Sequence, residues 1–234
     1  MMKKTILCVL VGLCLLVFST ARFAAADDNK EKGQTLKANE TALVLIEFQN
    51  EMLKPGGKNY EWLKPVVDKN NVLANAVDLV KKARAKGITI MYVPIWFATD
   101  VCEVGPHAYG VGGYVKSVGA FKKDTWNTQI VDELKPVKGD VIIEGKRAPD
   151  AFFSTNLDFV LRAMGIKNVA LAGFVTNICV ESTMRSAYER GYNVFTMTDV
   201  TAAGSQAVQD FTVKENFPTF SHPVTHDEFL RLVK

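Results

Sequence analysis

The chain has 234 residues, 48% hydrophobic and 23% charged, the make-up of an ordinary globular protein that is neither disordered, collagenous nor disulfide-dense. Its formal charge is +3, but residues 1 to 26 hold Lys3, Lys4 and Arg22 and no acid, so beyond them 25 basic residues face 25 acidic ones. A neutral chain without a Lys/Arg run has no counterion-release footprint, which argues against a nucleic-acid partner.

Residues 1 to 26 read as an export signal. Met1 to Lys4 is a short cationic start, Thr5 to Phe18 is apolar, and Ala24-Ala25-Ala26 supplies a small-residue cleavage site before Asp27. The 14 residues of the apolar run are too few to span about 30 Å of hydrocarbon as a helix, so no membrane anchor is expected after cleavage. Cys14 follows Leu13, where a lipid-attachment signal needs a small residue. The Lys-Lys start and Ala-rich cut point to the bacterial periplasm, with secretion as the alternative. Cys8 and Cys14 leave with the signal, and the remaining Cys102 and Cys179 are too few for a zinc ribbon or a disulfide framework. In an oxidising compartment these two can pair.

Asp27 to Glu40 is polar and unpatterned and is expected to be a flexible lead-in to one domain over residues 41 to 234. Short β-branched runs then alternate with helical periods, the signature of βαβ units around a parallel sheet. The strand runs are Ala42 to Ile46, Ile88 to Pro94, Asp140 to Ile143, Val169 to Ala172 and Asn193 to Thr198. Val66 to Lys86 carries an apolar stripe and stops at Gly87, a good residue after a helix end. Asn127 to Leu134 reads as a shorter helix. Thr155 and Asp158 have capping-box spacing for Leu157 to Met164, and Val180, Met184, Ala187 and Tyr188 form the inner stripe of a helix ending at Gly191. Gly105 to Gly119, with five glycines, reads as a long loop of the kind that binds ligands.

Ligands of open parallel sheets bind beyond the carboxyl ends of the strands. Three reactive groups follow strand runs: Glu47, Lys146 and Cys179. A cysteine at a helix N-terminus feels the positive end of the helix dipole, which favours thiolate; position alone leaves nucleophile and small buried hydrophobe both open. A carboxylate at the end of an apolar strand is costly unless paired, and Lys146 is a cation able to hold Glu47 ionised and favour the thiolate.

The strings GFVTNICVESTMRSAYERGYNV, GKRAPDAFFSTNLDFVLRAMGI and ALVLIEFQNE together resemble the isochorismatase-like cysteine hydrolases, which include nicotinamidase, N-carbamoylsarcosine amidohydrolase, ureidoacrylate amidohydrolase and biuret hydrolase. The resemblance covers roughly residues 40 to 205 and implies an α/β, three-layer Rossmann-like fold. It further implies a six-stranded, mainly parallel sheet with helices on both faces, in a homodimer or homotetramer. It implies Cys179 as nucleophile, Lys146 as the catalytic lysine and Glu47 as the acid–base group, where most members have Asp. It implies a cis peptide between Phe174 and Val175, and an oxyanion hole from the main-chain amides of Val175 and Cys179. The activity implied is hydrolysis of the C–N bond of a small amide, urea or carbamoyl compound through a thioester.

Two departures stand out. Glu47 has one methylene more than Asp, which moves the carboxyl outward. The segment after the second strand run, Val-Pro-Ile-Trp-Phe-Ala-Thr-Asp, lacks the Asp-x-His of nicotinamidases. The histidines, His107, His222 and His226, have neither HxH nor HExxH spacing, and no phosphate-binding glycine motif occurs. Neither a metal nor another cofactor is expected. His222 and His226 read as surface or packing groups. Trp96, Phe97, Tyr109, Tyr114 and Phe121 are candidates to wall a pocket, with core or subunit packing as the alternative, and His107 belongs to the glycine-rich loop as a substrate contact. The rival to a hydrolase is a non-catalytic binding or redox protein in which Cys179 is oxidised or paired with Cys102.

Overall fold

The computed structural model describes residues 35–234; the export signal and the first part of the lead-in lie outside the described residues. In chain order the strands are β1 (Thr41–Ile46), β2 (Thr89–Val93), β3 (Val141–Ile142), β4 (Asn168–Phe174), β5 (Asn193–Ala202) and β6 (His222–Val224). The helices are α1 (Asn50–Leu53), α2 (Tyr60–Lys69), α3 (Val72–Ala85), α4 (Gly110–Val118), α5 (Leu157–Ala163), α6 (Glu181–Glu189), α7 (Gln206–Phe211), α8 (Phe217–Phe220) and α9 (His226–Leu232).

The strands form one six-stranded sheet in the order β3-β2-β1-β4-β5-β6, and every pair is parallel. Period-2 alternation divides the central strands between two cores. Leu43 and Leu45 of β1 join Ala170, Ala172 and Phe174 of β4 on one face, under α2, α3 and α9. Ala42, Val44 and Ile46 join Val169 and Leu171 on the other, under α5 and α6. Every residue of β1 and β4 is buried, which is why both read as unbroken apolar runs. The order reverses between β1 and β4, the topological switch point where such sheets bind ligands.

Gly173 makes that junction tight. It pairs with Ile46 at φ +127, and a Cβ there would lie 2.0 Å from the Ile46 carbonyl oxygen. Only glycine fits this approach, and β4 shifts register against β5 at the same place.

Several expectations need correction. The single helix over Val66–Lys86 is two, because Asn71 takes a left-handed conformation (φ 52) ahead of α3, one that asparagine tolerates. The Asn127–Leu134 helix is a pair of 3-10 turns, Trp126–Thr128 and Asp132–Leu134; between them Ile130 bridges Gln49. Thr155 accepts the Leu157 N–H (3.1 Å), but the residue capping α5 is Asn156 and no capping box forms. The Gly105–Gly119 loop contains α4, nine residues long with Val115 buried. The lead-in is docked at its end: Leu36 is buried and pairs with Val233. β6 and the helices around it carried no motif in the sequence.

Candidate active site

Glu47 closes β1. Its N–H donates to the Val93 carbonyl on β2 (3.1 Å), while φ of 57 puts it in a left-handed conformation that costs a non-glycine residue about 1–3 kcal/mol. Buried Gln49 holds this turn: its amide donates to the carbonyls of Ile95 (2.9 Å) and Thr128 (2.8 Å), and its oxygen accepts the Ile95 N–H (2.9 Å).

Lys146 follows Gly145, whose φ is +96 and where a Cβ would meet the Ser154 carbonyl oxygen at 2.3 Å. This loop carries Lys146 inward until its side chain is fully buried, with Nζ 2.9 Å from Glu47 Oε1. The ammonium also donates to the carbonyls of Ala148 and Pro149. Those bonds direct its hydrogens, and Oε1 has no aligned hydrogen bond among the described residues; the contact is an ion pair.

Cys179 lies on a π-helical turn, Thr176–Val180, leading into α6, after a cis Phe174–Val175 bond. Its carbonyl accepts the Thr183 hydroxyl (2.7 Å), and that hydroxyl accepts the Ala151 N–H (2.9 Å), tying the Lys146 loop to α6. The Glu47 carboxylate and the Val175 N–H both lie within electrostatic reach of the Cys179 sulfur.

Burial pushes the Cys179 thiol well above the ordinary cysteine range, and the Glu47 charge adds to this, outweighing the opposing pull of Lys146 and the Val175 amide. The expectation of a dipole-favoured thiolate is thereby corrected: desolvation and an adjacent carboxylate outweigh a helix terminus. Burial opposes the Lys146 charge, but Cys179 and Glu47 together raise its pKa. Cys102 and Cys179 are both free, Cys102 exposed and Cys179 buried, so the expected alternative of a disulfide between them is not formed.

The three groups meet below a cavity of about 580 Å³ into which Glu47, Val175 and Cys179 open. Its walls are mainly apolar: Met52, Trp62, Ile95, Phe97 and Phe121, with Val111, Tyr114 and Val115 of α4. Phe97, Tyr114 and Phe121 are therefore wall residues. Tyr109, 90% exposed, and His107, also exposed, do not line it, because they precede α4 and the helix itself forms the wall. Trp96 is not a wall residue but a platform, its ring centroid 3.4 Å from the guanidinium carbon of Arg147. Sequence reasoning missed Arg147, Glu103 and Trp62, which all line the cavity; the adjacency of Arg147 to Lys146 was the one available signal.

His222 stacks against Phe195 (5.0 Å between centroids), and buried His226 has Nδ1 2.6 Å from Asp199, so both pack. Among the described residues, Asp78, His226 and Asp227 have the spacing to hold a metal ion. None of them lines the cavity, and Lys82 already pairs with both aspartates at 2.6 and 3.1 Å.

Residues 41–228 match the family model of the isochorismatase domain. The chain is 33% identical over 214 residues to the ureidoacrylate amidohydrolase of Rhizobium rhizogenes, covering 85% of each chain. Among solved structures it resembles a cysteine hydrolase from Pseudomonas syringae pv. phaseolicola, with TM-score 0.74 and 25% identity over 84% of this chain and 93% of that one. It also resembles the N-carbamoylsarcosine amidase of Thermoplasma acidophilum, with TM-score 0.62 and 26% identity over 80% and 97%. A parallel sheet with its switch point at Glu47 and Cys179, together with these matches, places the chain in the isochorismatase-like cysteine hydrolase superfamily.

Proposed function

We propose that this protein, a hydrolase of amide C–N bonds, works through Cys179 as nucleophile on a small amide, urea or carbamoyl compound. The observation that carries the reading is the buried trio beneath the cavity: a fully buried ammonium 2.9 Å from a buried carboxylate, with the Cys179 thiol within electrostatic reach of both. With substrate bound, Glu47 takes that proton and the sulfur attacks the carbonyl carbon. The amides of Val175 and Cys179 hold the developing oxyanion. Glu47 then passes its proton to the leaving nitrogen as the C–N bond breaks, leaving a thioester. Water, deprotonated by Glu47, hydrolyses the thioester and returns the thiol. Lys146 keeps Glu47 ionised in the resting state and supplies positive potential throughout. This scheme uses neither a metal nor another cofactor.

The cationic, apolar and Ala-rich pattern of residues 1 to 26 supports export to the periplasm. Exposed Phe153, Phe159 and Phe211 support a homodimer or homotetramer.

Ammonia release from a panel of ureas, carbamoyl compounds and small carboxamides tests the reading. The mature wild type is expected to turn over at least one member, and Cys179→Ala and Lys146→Ala to lose activity while keeping the wild-type circular dichroism spectrum. Wild-type rates in either variant would overturn the mechanism.

A further inference from the structure

The cavity is much larger than an amide group needs. Its volume of about 580 Å³ lies in the range that takes up a whole small organic ligand, whereas the reaction needs only the part beside Glu47 and Cys179. Most of the remaining wall is hydrocarbon or aromatic ring, from Met52, Ile95, Phe97, Val115, Phe121 and Ile178.

The charges on these walls cancel. Among the described residues that line the cavity, the ionised side chains are Glu47, Glu103 and Arg147. Glu47 is matched by Lys146 at 2.9 Å. Glu103, which the mechanism above does not use, is matched by Arg147: Oε1 lies 3.4 Å from Nε, and the two side chains are only 31% and 23% exposed. Burial opposes the Glu103 charge, but the Ala98 N–H (2.8 Å) and Arg147 outweigh it and hold the carboxyl below its ordinary range. Arg147 is further committed to the Trp96 ring, 3.4 Å from its centroid, and to the Lys146 carbonyl, to which Nη1 donates (2.8 Å). Lys123 reaches the same ring at 4.7 Å but does not line the cavity. The Tyr114 hydroxyl is turned to Asn59 (2.9 Å). An anionic arm entering this space would give up its hydration without meeting an unmatched cation, and would approach the Glu103 carboxylate. A cationic arm would find a carboxylate already matched. A hydrocarbon arm gains with every methylene it buries.

We infer that Glu103 is the specificity-determining residue of this cavity: by neutralising Arg147 it excludes charged substrates, and the substrate class is an uncharged amide whose hydrocarbon arm fills the apolar walls. The inference rests on the hydrolytic reading for the bond broken, but not for the arm bound.

Calorimetric titration of the Cys179→Ala protein with 5-methylhexanamide and with glutaramate, which has the same shape but ends in a carboxylate, tests it. The uncharged amide is expected to bind about tenfold or more tightly. Adding Glu103→Gln leaves Arg147 unmatched and should strengthen glutaramate binding about tenfold, the worth of one charge-assisted hydrogen bond, a gain that a misfolded protein cannot give. Adding Arg147→Gln as well should abolish the gain. Equal or tighter binding of glutaramate before Glu103 is changed, no binding of either compound, or no gain in Glu103→Gln would overturn the assignment. Ammonia release by the wild type separates the two claims. From acetamide to hexanamide, kcat/KM should rise about fourfold per methylene, and a flat series with turnover refutes the apolar subsite while keeping the hydrolytic reading. Preferential binding of the uncharged amide without turnover of any amide does the reverse.

Discussion

The Glu47–Lys146 pair permits a quantitative test because both partners are buried at 0–2% exposure and 2.9 Å apart. At an effective dielectric of about 20, the gross attraction at that distance is about 6 kcal/mol; most of it offsets the desolvation of the two ions. Removing one partner is therefore worse than removing both. Lys146→Met leaves a buried carboxylate whose Oε1 has no aligned hydrogen bond, and should cost about 3–5 kcal/mol. For a chain of this length that lowers Tm by about 6–20 °C. Glu47→Gln leaves the ammonium with the Ala148 and Pro149 carbonyls, so it should cost less, about 2–3 kcal/mol. The double variant buries no ion and should cost about 1–2 kcal/mol, giving a coupling of about 3 kcal/mol or more. Urea denaturation of the four proteins measures the cycle, with ammonia release expected only from the wild type. Additive costs would refute the buried-pair account, and a double variant that regained activity would refute the catalytic one.

The reactivity of Cys179 should report its neighbours with opposite signs. Iodoacetamide alkylation of the wild type should keep rising through the alkaline range beyond the ordinary cysteine inflection, because the folded thiol is raised by burial and by Glu47. Glu47→Gln removes an anion that raises the thiol and should move the inflection to lower pH; Lys146→Met removes the cation that lowers it and should move it higher. Inflections that coincide in the three proteins would contradict this electrostatic account. Gly173→Ala should cost about 3 kcal/mol or more, since its Cβ would stand 2.0 Å from the Ile46 oxygen at φ +127; a denaturation midpoint equal to wild type would show that the junction relaxes freely.

The two central strands of this fold were legible because their residues are buried on both faces, so Ala42 to Ile46 and Val169 to Ala172 appear as plain apolar runs. Glu47, Lys146 and Cys179 could be picked out because a charged or nucleophilic side chain after such a run conflicts with local burial. What could not be read is what depends on conformation at single residues. The turn at Asn71 divides a helix that apolar periodicity alone makes continuous, and α4 hides in a glycine-rich stretch whose helical fit depends on packing against the cavity. Tyr109 and Tyr114 look equivalent in sequence, yet one caps α4 at 90% exposure and the other faces the cavity. The place of Arg147 at the cavity could be guessed only from its adjacency to Lys146, because its ring partner, Trp96, lies fifty-one positions earlier in the chain.

A raised thiol is compatible with nucleophilic catalysis here because of how charge is conserved in the buried trio. In the resting state Glu47 is anionic, Lys146 cationic and Cys179 neutral, so the set carries no net charge. Losing the thiol proton to solvent would leave two anions against one cation in a buried site, which burial and Glu47 resist. Passing it to Glu47 instead leaves a thiolate beside an ammonium and a neutral carboxyl, again with no net charge. Lys146 exchanges one anion for another without moving. In the proposed mechanism, burial that makes the free thiolate costly therefore confines the proton to transfer onto Glu47, whose carboxylate stays within reach of the sulfur while ion-paired to Lys146.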